Sequence, residues 1–156
     1  VLEIEIPSFK KINVENIVFD YNGTLAVDGN LIEGVKERLL ELTKILNVYI
    51  LTADTYGTVK ENFEGLNVDI HIISKGNERL DKYEFVKYLG FDKTITVGNG
   101  NNDLLMIKES AIGICVLGRE GLATETFINS DIIVNNIVDV FDMIIEKRRL
   151  IATLRK

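Results

Sequence analysis

The chain has 156 residues, 46% of them hydrophobic, and its 18 basic against 24 acidic side chains leave a net charge of −6. That length fits one domain with a sizeable core and no need of a disulfide or metal staple, and the single cysteine, Cys115, excludes an intramolecular disulfide. The acidic balance excludes general binding to nucleic acid or an anionic membrane, no apolar stretch reaches the ~18 residues of a membrane span, and the opening VLEIEIPSFKK lacks a signal-peptide core, so a cytoplasmic protein is expected.

Leu2 to Ile6 alternates as an edge strand does, and Asn16 to Phe19 reads as a continuous buried strand leading into Asp20-Tyr21-Asn22-Gly23-Thr24. In the following segment Asp28-Gly29 lies between two apolar pairs, the mark of a two-residue hairpin. Gly34 to Leu46 places Val35, Leu39, Leu42 and Ile45 on one helical face. Strands are then predicted over Asn47–Leu51, Asp69–Ser74, Thr94–Val97, Ala111–Leu117 and Asp131–Val134. Helices are predicted over Asn77–Leu89, Asp103–Ser110 and Asn136–Leu154. Alternating strands and helices predict an α/β fold, with a mainly parallel sheet and helices on both faces. No repeat, linker or low-complexity tract interrupts the series, so residues 1–156 are expected to form a single domain.

Ligands of open parallel sheets bind beyond the carboxyl ends of the strands. Three buried runs here end in polar groups at that edge: Asp20, then Thr52-Ala53-Asp54, then Gly98-Asn99-Gly100-Asn101-Asn102-Asp103. Acids, amides and a hydroxyl gathered there suit a phosphate and a divalent cation better than packing. Plainer readings exist for each piece. Asp20 to Thr24 alone is a tight turn, and Gly98 to Asp103 alone is a strand-to-helix turn with an Asn cap. The first segment is no EF-hand, because Leu31 stands where the bidentate Glu belongs, and the second fails the dinucleotide fingerprint at Asp103.

At these residues the chain resembles the haloacid dehalogenase (HAD) superfamily of phosphatases and phosphotransferases, and within it the phosphorylation domain of P-type ATPases and their small soluble relatives. VFDYNGTL resembles the nucleophile motif, LTADT the Thr/Ser motif, RLDKYEFVKYLG the helix with the motif lysine, and VGNGNNDLLMI the Gly-Asp-Gly-x-Asn-Asp loop. AIGICVLGREGLATETFINSDIIVNN is similar to the superfamily's last strands. The resemblance covers residues 16 to 140 and implies a three-layer, Rossmann-like (HAD-like) fold. It implies Asp20 as the nucleophile forming an aspartyl-phosphate, with Asn22, Thr52 and Lys82 as further catalytic positions. It implies phosphate binding by Thr52, by Lys82 and by backbone N–H groups around Tyr21, Asn22 and Ala53. It also implies Mg2+ held by Asp20, the Asn22 carbonyl, Asn99 and Asp103. A phosphorylated small molecule or nucleotide is the implied partner, and a homo-oligomer that completes the site with a neighbouring subunit is a further option.

Two positions depart from the pattern. Asn22 stands where the phosphatases carry a second aspartate as general acid and base, a role usually worth ~10²–10⁴-fold. Asn99 stands where the loop carries a metal-binding aspartate. Together they leave two readings open: a weakly turning phosphatase or ATPase, or a catalytically impaired phosphate-binding or scaffolding protein. Both asparagines precede glycine, a dipeptide prone to deamidation that would restore aspartate. Lys75 and Lys87 compete with Lys82 for the lysine role. His71, in an apolar strand pattern, and Cys115 are expected to be structural. The basic tail, Lys147-Arg148-Arg149 and Arg155-Lys156, is expected to be a solvated helix end favoured by the helix dipole. Finally, 27 residues separate Thr24 from Thr52 and 29 separate Thr52 from Lys82, which leaves no room for a cap domain.

Overall fold

A computed structural model describes residues 1–54 and 57–156; Thr55 of the LTADT segment lies outside them. The strands β1 (Leu2–Ile6) and β2 (Lys10–Val14) pair antiparallel as a ribbon apart from the main sheet. The sequence signals β1 but places it at the sheet's edge, and it hides β2, because only Ile12 and Val14 of KKINV are apolar and buried.

The main sheet has six parallel strands in the order β10-β9-β8-β3-β6-β7. They are β3 (Asn16–Asp20), β6 (Asn47–Thr52), β7 (Val68–Ile72), β8 (Thr94–Gly98), β9 (Ile112–Val116) and β10 (Ile132–Val134). After β7 the chain crosses the sheet to β8, so the order reverses between β3 and β8. A crevice opens at such a reversal, outside the carboxyl ends of the strands.

Helices cover both faces, as the alternation predicts. On one face lie α1 (Val35–Leu42) and α6 (Ile137–Ile145), with Leu39, Leu42, Val140 and Ile144 buried and Phe141 stacked on Phe19 at 5.1 Å. On the other lie α3 (Glu78–Leu89) and α4 (Leu104–Glu109), where Val86, Met106 and Ile107 meet Val18, Leu51 and Cys115. Gly113 in β9 permits the close approach of α4, since a Cβ there would sit 2.2 Å from the Ile107 carbonyl oxygen. The short helices α2 (Thr58–Asn62) and α5 (Thr124–Ile128) are too brief to show a period in the sequence.

Three expectations change. The predicted helix Asn136–Leu154 is two helices, because Glu146 (φ −95°, ψ 74°) turns the chain from α6 into α7 (Lys147–Leu154). The turn lets Leu150 bury while Lys147 Nζ donates to the Glu3 carbonyl of the ribbon at 2.8 Å. Lys147-Arg148-Arg149 therefore lie at the start of α7, where the dipole disfavours cations, and Arg148 pairs with Glu146 at 2.8 Å instead. His71 lies outside the core: β7 is an outer strand and the imidazole is exposed, stacked on Phe85 at 4.7 Å.

The hairpin forms as predicted, with β4 (Ala26–Val27) and β5 (Asn30–Leu31) paired antiparallel. Asp28 (φ 51°) and Gly29 (φ 80°) both take positive φ, as a type I′ turn demands. Between β3 and β6 the described residues hold this hairpin and α1, and between β6 and α3 they hold α2 and β7. Neither interval contains a cap domain.

Candidate active site

Asp20 ends β3, and its side chain is 10% exposed. Lys82 reaches it from α3, one turn before Val86, so the helix face that enters the core also brings in the ammonium. Lys82 Nζ donates to Asp20 Oδ1 at 2.8 Å, to Asp103 Oδ1 at 2.7 Å and to Asn102 Oδ1 at 3.1 Å, which uses all three of its protons. Of the three candidate lysines, Lys82 is the one the fold brings to Asp20. Asn102 carries no role in the sequence reading; its only signal was membership of the Asn101-Asn102-Asp103 run.

Asp103 is fully buried. Its Oδ2 accepts the N–H groups of Asn99 and Gly100, each at 3.0 Å, so it ties the loop to α4. Gly98 makes room for it, since a Cβ there would fall 2.5 Å from the carboxylate. Asp103, expected among the metal ligands, accepts from Lys82 on Oδ1 and from the two loop N–H groups on Oδ2, and so clamps Lys82 to the loop.

On the other side of Asp20, Thr24 Oγ1 lies 3.2 Å from Asp20 Oδ2 and 3.3 Å from Asn99 Oδ1. A hydroxyl has one proton and can satisfy only one of those two buried oxygens. Thr24 is a second residue that sequence reasoning left without a role, although it stands inside the quoted motif. Gly23 (φ 81°) brings the turn against Asn99, where a Cβ would sit 2.6 Å from Nδ2. Asn99 Nδ2 donates to the Gly121 carbonyl at 3.3 Å.

Thr52 ends β6 and is buried, accepting the Asp54 N–H at 3.1 Å on its hydroxyl oxygen. Its hydroxyl proton has no acceptor among the described residues. Ala53 follows it, half-buried. Tyr21 departs from expectation. Its N–H continues the β3–β6 pairing by donating to the Leu51 carbonyl at 3.2 Å, so it is not available to a phosphate. The Tyr21 ring is buried, and its hydroxyl donates to the Gly29 carbonyl at 3.1 Å while accepting from Asn62 Nδ2 at 2.8 Å. Asn22 is exposed, in a bridge to Ala26 that uses the Tyr21 carbonyl and the Gly23 N–H and leaves the N–H and carbonyl of Asn22 itself pointing away. The N–H groups after both Asn-Gly asparagines are engaged, Gly23 with the Ala26 carbonyl and Gly100 with Asp103, which opposes the ring closure that deamidation requires.

Burial, and then the neighbouring Asp103 carboxylate, push Asp20 up to about 7 against the opposing pull of Lys82. Burial alone would lower the Lys82 pKa, but the two carboxylates outweigh it and hold the ammonium above its ordinary range. Burial raises the Cys115 thiol to about 11, so it stays protonated and inert. Two carboxylates share one ammonium, which leaves an excess negative charge in a buried place. Among the described residues no cluster of three or more His, Cys, Asp or Glu could hold a metal. The donors that fit a hard cation are oxygens, among them Asp20 Oδ2, Asn99 Oδ1 and the Asn22 carbonyl, and Thr24 can donate its one hydrogen bond to only one of the first two.

No family model matches the chain. An uncharacterized protein of Methanocaldococcus jannaschii is 40% identical over 84 residues, which cover 51% of this chain and 90% of that protein. A soluble P-type ATPase-like phosphatase of the same organism is 26% identical over 145 residues, and these cover 90% of this chain but 53% of that protein, so the chain spans about half of its length. Among solved structures, 3-deoxy-D-manno-octulosonate 8-phosphate phosphatase of Moraxella catarrhalis, in complex with magnesium, phosphate and a KDO molecule, superposes with a TM-score of 0.67 at 20% identity over 91% of this chain and 94% of that one. The central parallel sheet with helices on both faces is the haloacid dehalogenase-like fold of these solved structures, and the quoted segments fall in order at the reversal between β3 and β8.

Proposed function

We propose that the chain is a Mg2+-dependent phosphohydrolase or phosphotransferase working through an aspartyl-phosphate on Asp20, with weak ATPase or general phosphatase activity. The observation that carries this reading is the Asp20 carboxylate at the end of the central strand, gripped by Lys82 Nζ at 2.8 Å on one oxygen and by Thr24 Oγ1 at 3.2 Å on the other. A carboxylate oxygen of Asp20 attacks phosphorus in line. The bond from Asp20 to phosphorus forms, the bond from phosphorus to the leaving oxygen breaks, and that oxygen takes a proton from solvent because Asn22 has none to give. Water then attacks the same phosphorus, the bond to Asp20 breaks, and phosphate leaves with the carboxylate restored. Lys82 offsets charge on the phosphoryl oxygens, and the Thr52 hydroxyl with the N–H groups of Asn22 and Ala53 holds them. A bound Mg2+ would supply further positive charge to those oxygens; Asp20, Asn99, Asp103 and the Asn22 carbonyl would hold it, with Asp103 also keeping Lys82 and the loop in place.

Radiolabelled acetyl phosphate or ATP with Mg2+ is expected to leave an acid-stable, hydroxylamine-labile label on the protein. Equal labelling of Asp20→Asn would defeat the assignment.

Asn22 and Asn99 favour a second reading, a phosphate- and metal-binding scaffold without turnover. Calorimetric titration with Mg2+ and phosphate beside a generic phosphatase assay separates the two, since binding without turnover supports the scaffold.

A further inference from the structure

The main sheet ends at β7, and among the described residues no strand pairs with its outer side. The Ile73 N–H donates to the Thr52 carbonyl at 2.9 Å, and in a parallel ladder only alternate residues of a strand turn their backbone groups to a given neighbour. Carried back along the register with β6, that alternation points the N–H and C=O groups of Asp69 and His71 inward and those of Val68, Ile70 and Ile72 outward. The outward groups bond to nothing among the described residues. Val68 and Ile70 pack their side chains against the core, while His71, on the opposite face, stacks on Phe85 of α3 and has Asp69 beside it on that face. Asp69 and His71 are exposed, and neither side chain makes a hydrogen bond or ion pair among the described residues. Such an edge is a template for another strand.

We infer that β7 is the two-fold interface of a homodimer, in which the β7 strands of two copies pair antiparallel about Ile70. An edge that pairs antiparallel with its own copy must match outward groups with outward groups, so the axis can fall only at Asp69, Ile70 or His71. At Asp69 the two carboxylates would oppose each other, which is destabilising. At His71 the imidazoles would face each other and Asp69 would lie opposite Ile73, beyond the end of the strand. With the axis at Ile70, Val68 faces Ile72, Ile70 faces Ile70, and Asp69 faces His71 on both sides of the axis. Every outward N–H and C=O of the strand then has a partner, and each imidazole donates to the carboxylate opposite. A lone acid on an edge strand ordinarily guards against pairing. In this register alone the same acid meets a donor, so it selects the pairing. The two-fold closes the assembly at two copies. A five-residue edge lies at the small end of interface sizes, below ~1,200 Å² in total, so the dimer is weak, with a Kd on the order of 10 μM.

Sedimentation velocity of the full chain over about 1–200 μM is expected to show a reversible shift from monomer to dimer. His71→Asp sets carboxylates opposite each other on both sides of the axis and is expected to weaken the dimer about tenfold. The exchange of Asp69→His together with His71→Asp restores the same pairs with the partners reversed. It is expected to return Kd to within about threefold of the wild type, a recovery that general damage to the strand would not give. Ile72→Pro removes an outward N–H and leaves the bonds to β6 in place, since proline is tolerated where an edge strand faces solvent, and is expected to weaken the dimer about tenfold. A chain monomeric at every concentration, a dimer indifferent to either His71→Asp or Ile72→Pro, a weakened dimer that the exchange fails to restore, or growth beyond two copies would each overturn the inference.

Discussion

Asn22 sits two residues beyond Asp20, the proposed nucleophile, exposed and with its backbone set by the bridge to Ala26. An amide cannot exchange a proton at neutral pH, so on the proposed mechanism Asn22 gives the leaving oxygen and the attacking water no general acid or base. Asn22→Asp installs one without disturbing a buried contact. Turnover is expected to rise by about 10²-fold or more at unchanged thermal midpoint. No gain in kcat would show that another group already supplies the proton. The identities of Asp20, Thr52, Lys82 and Asn99 were legible because each ends a buried run or stands in an ordered motif. The roles of Thr24, Asn102 and the Asn99 amide were not, because each depends on which side chain arrives from a distant part of the chain. Lys82 reaches Asp20 across 62 positions, and Thr24 reaches Asn99 across 75.

Elements with a strong period were legible, and those without one were not. The all-buried strands β3, β8 and β9 show as continuous apolar runs, whereas β2 and the five-residue α2 and α5 give too few buried positions to register. The helix break at Glu146 is likewise invisible in sequence, since both halves are good helix formers and tertiary packing alone separates them. The contact of α4 with β9 makes a sharper prediction. Gly113 is a buried strand position at which any side chain meets the backbone of Ile107, a contact no rotamer can relieve. Gly113→Ala is expected to cost about 3 kcal/mol, read as a lower urea midpoint with the m-value unchanged. Gly57→Ala serves only as a contrast for strain from positive φ, because nothing crowds that site. A stability loss at Gly113 no greater than at Gly57 would count against the tight packing of α4.

For the molecule as a whole, the buried charge cluster sets a pH dependence. Asp20 titrates at about 7 in the folded chain against an ordinary value of 3.8, mainly through burial. Between those values the folded state binds more protons at this group than the unfolded state does, so stability falls as pH rises through the window and levels off above about 7. The slope from one such group is at most about 1.4 kcal/mol per pH unit. Urea midpoints in EDTA from pH 4 to 8 are expected to show this fall in the wild type. Asp20→Asn should lack that component, and Mg2+ should restore stability above pH 7. A wild-type profile parallel to that of the variant would remove Asp20 as the cause.

Taken alone, the sequence determined the fold class and the residues that gather at the carboxyl edge of the sheet, because buried strands and polar strand ends are local patterns. Only the tertiary structure decided that Asp103 is engaged as a clamp and that the Tyr21 N–H is used up by the sheet. Each of those depends on hydrogen bonds from segments far apart in the chain, brought together where the strand order reverses between β3 and β8.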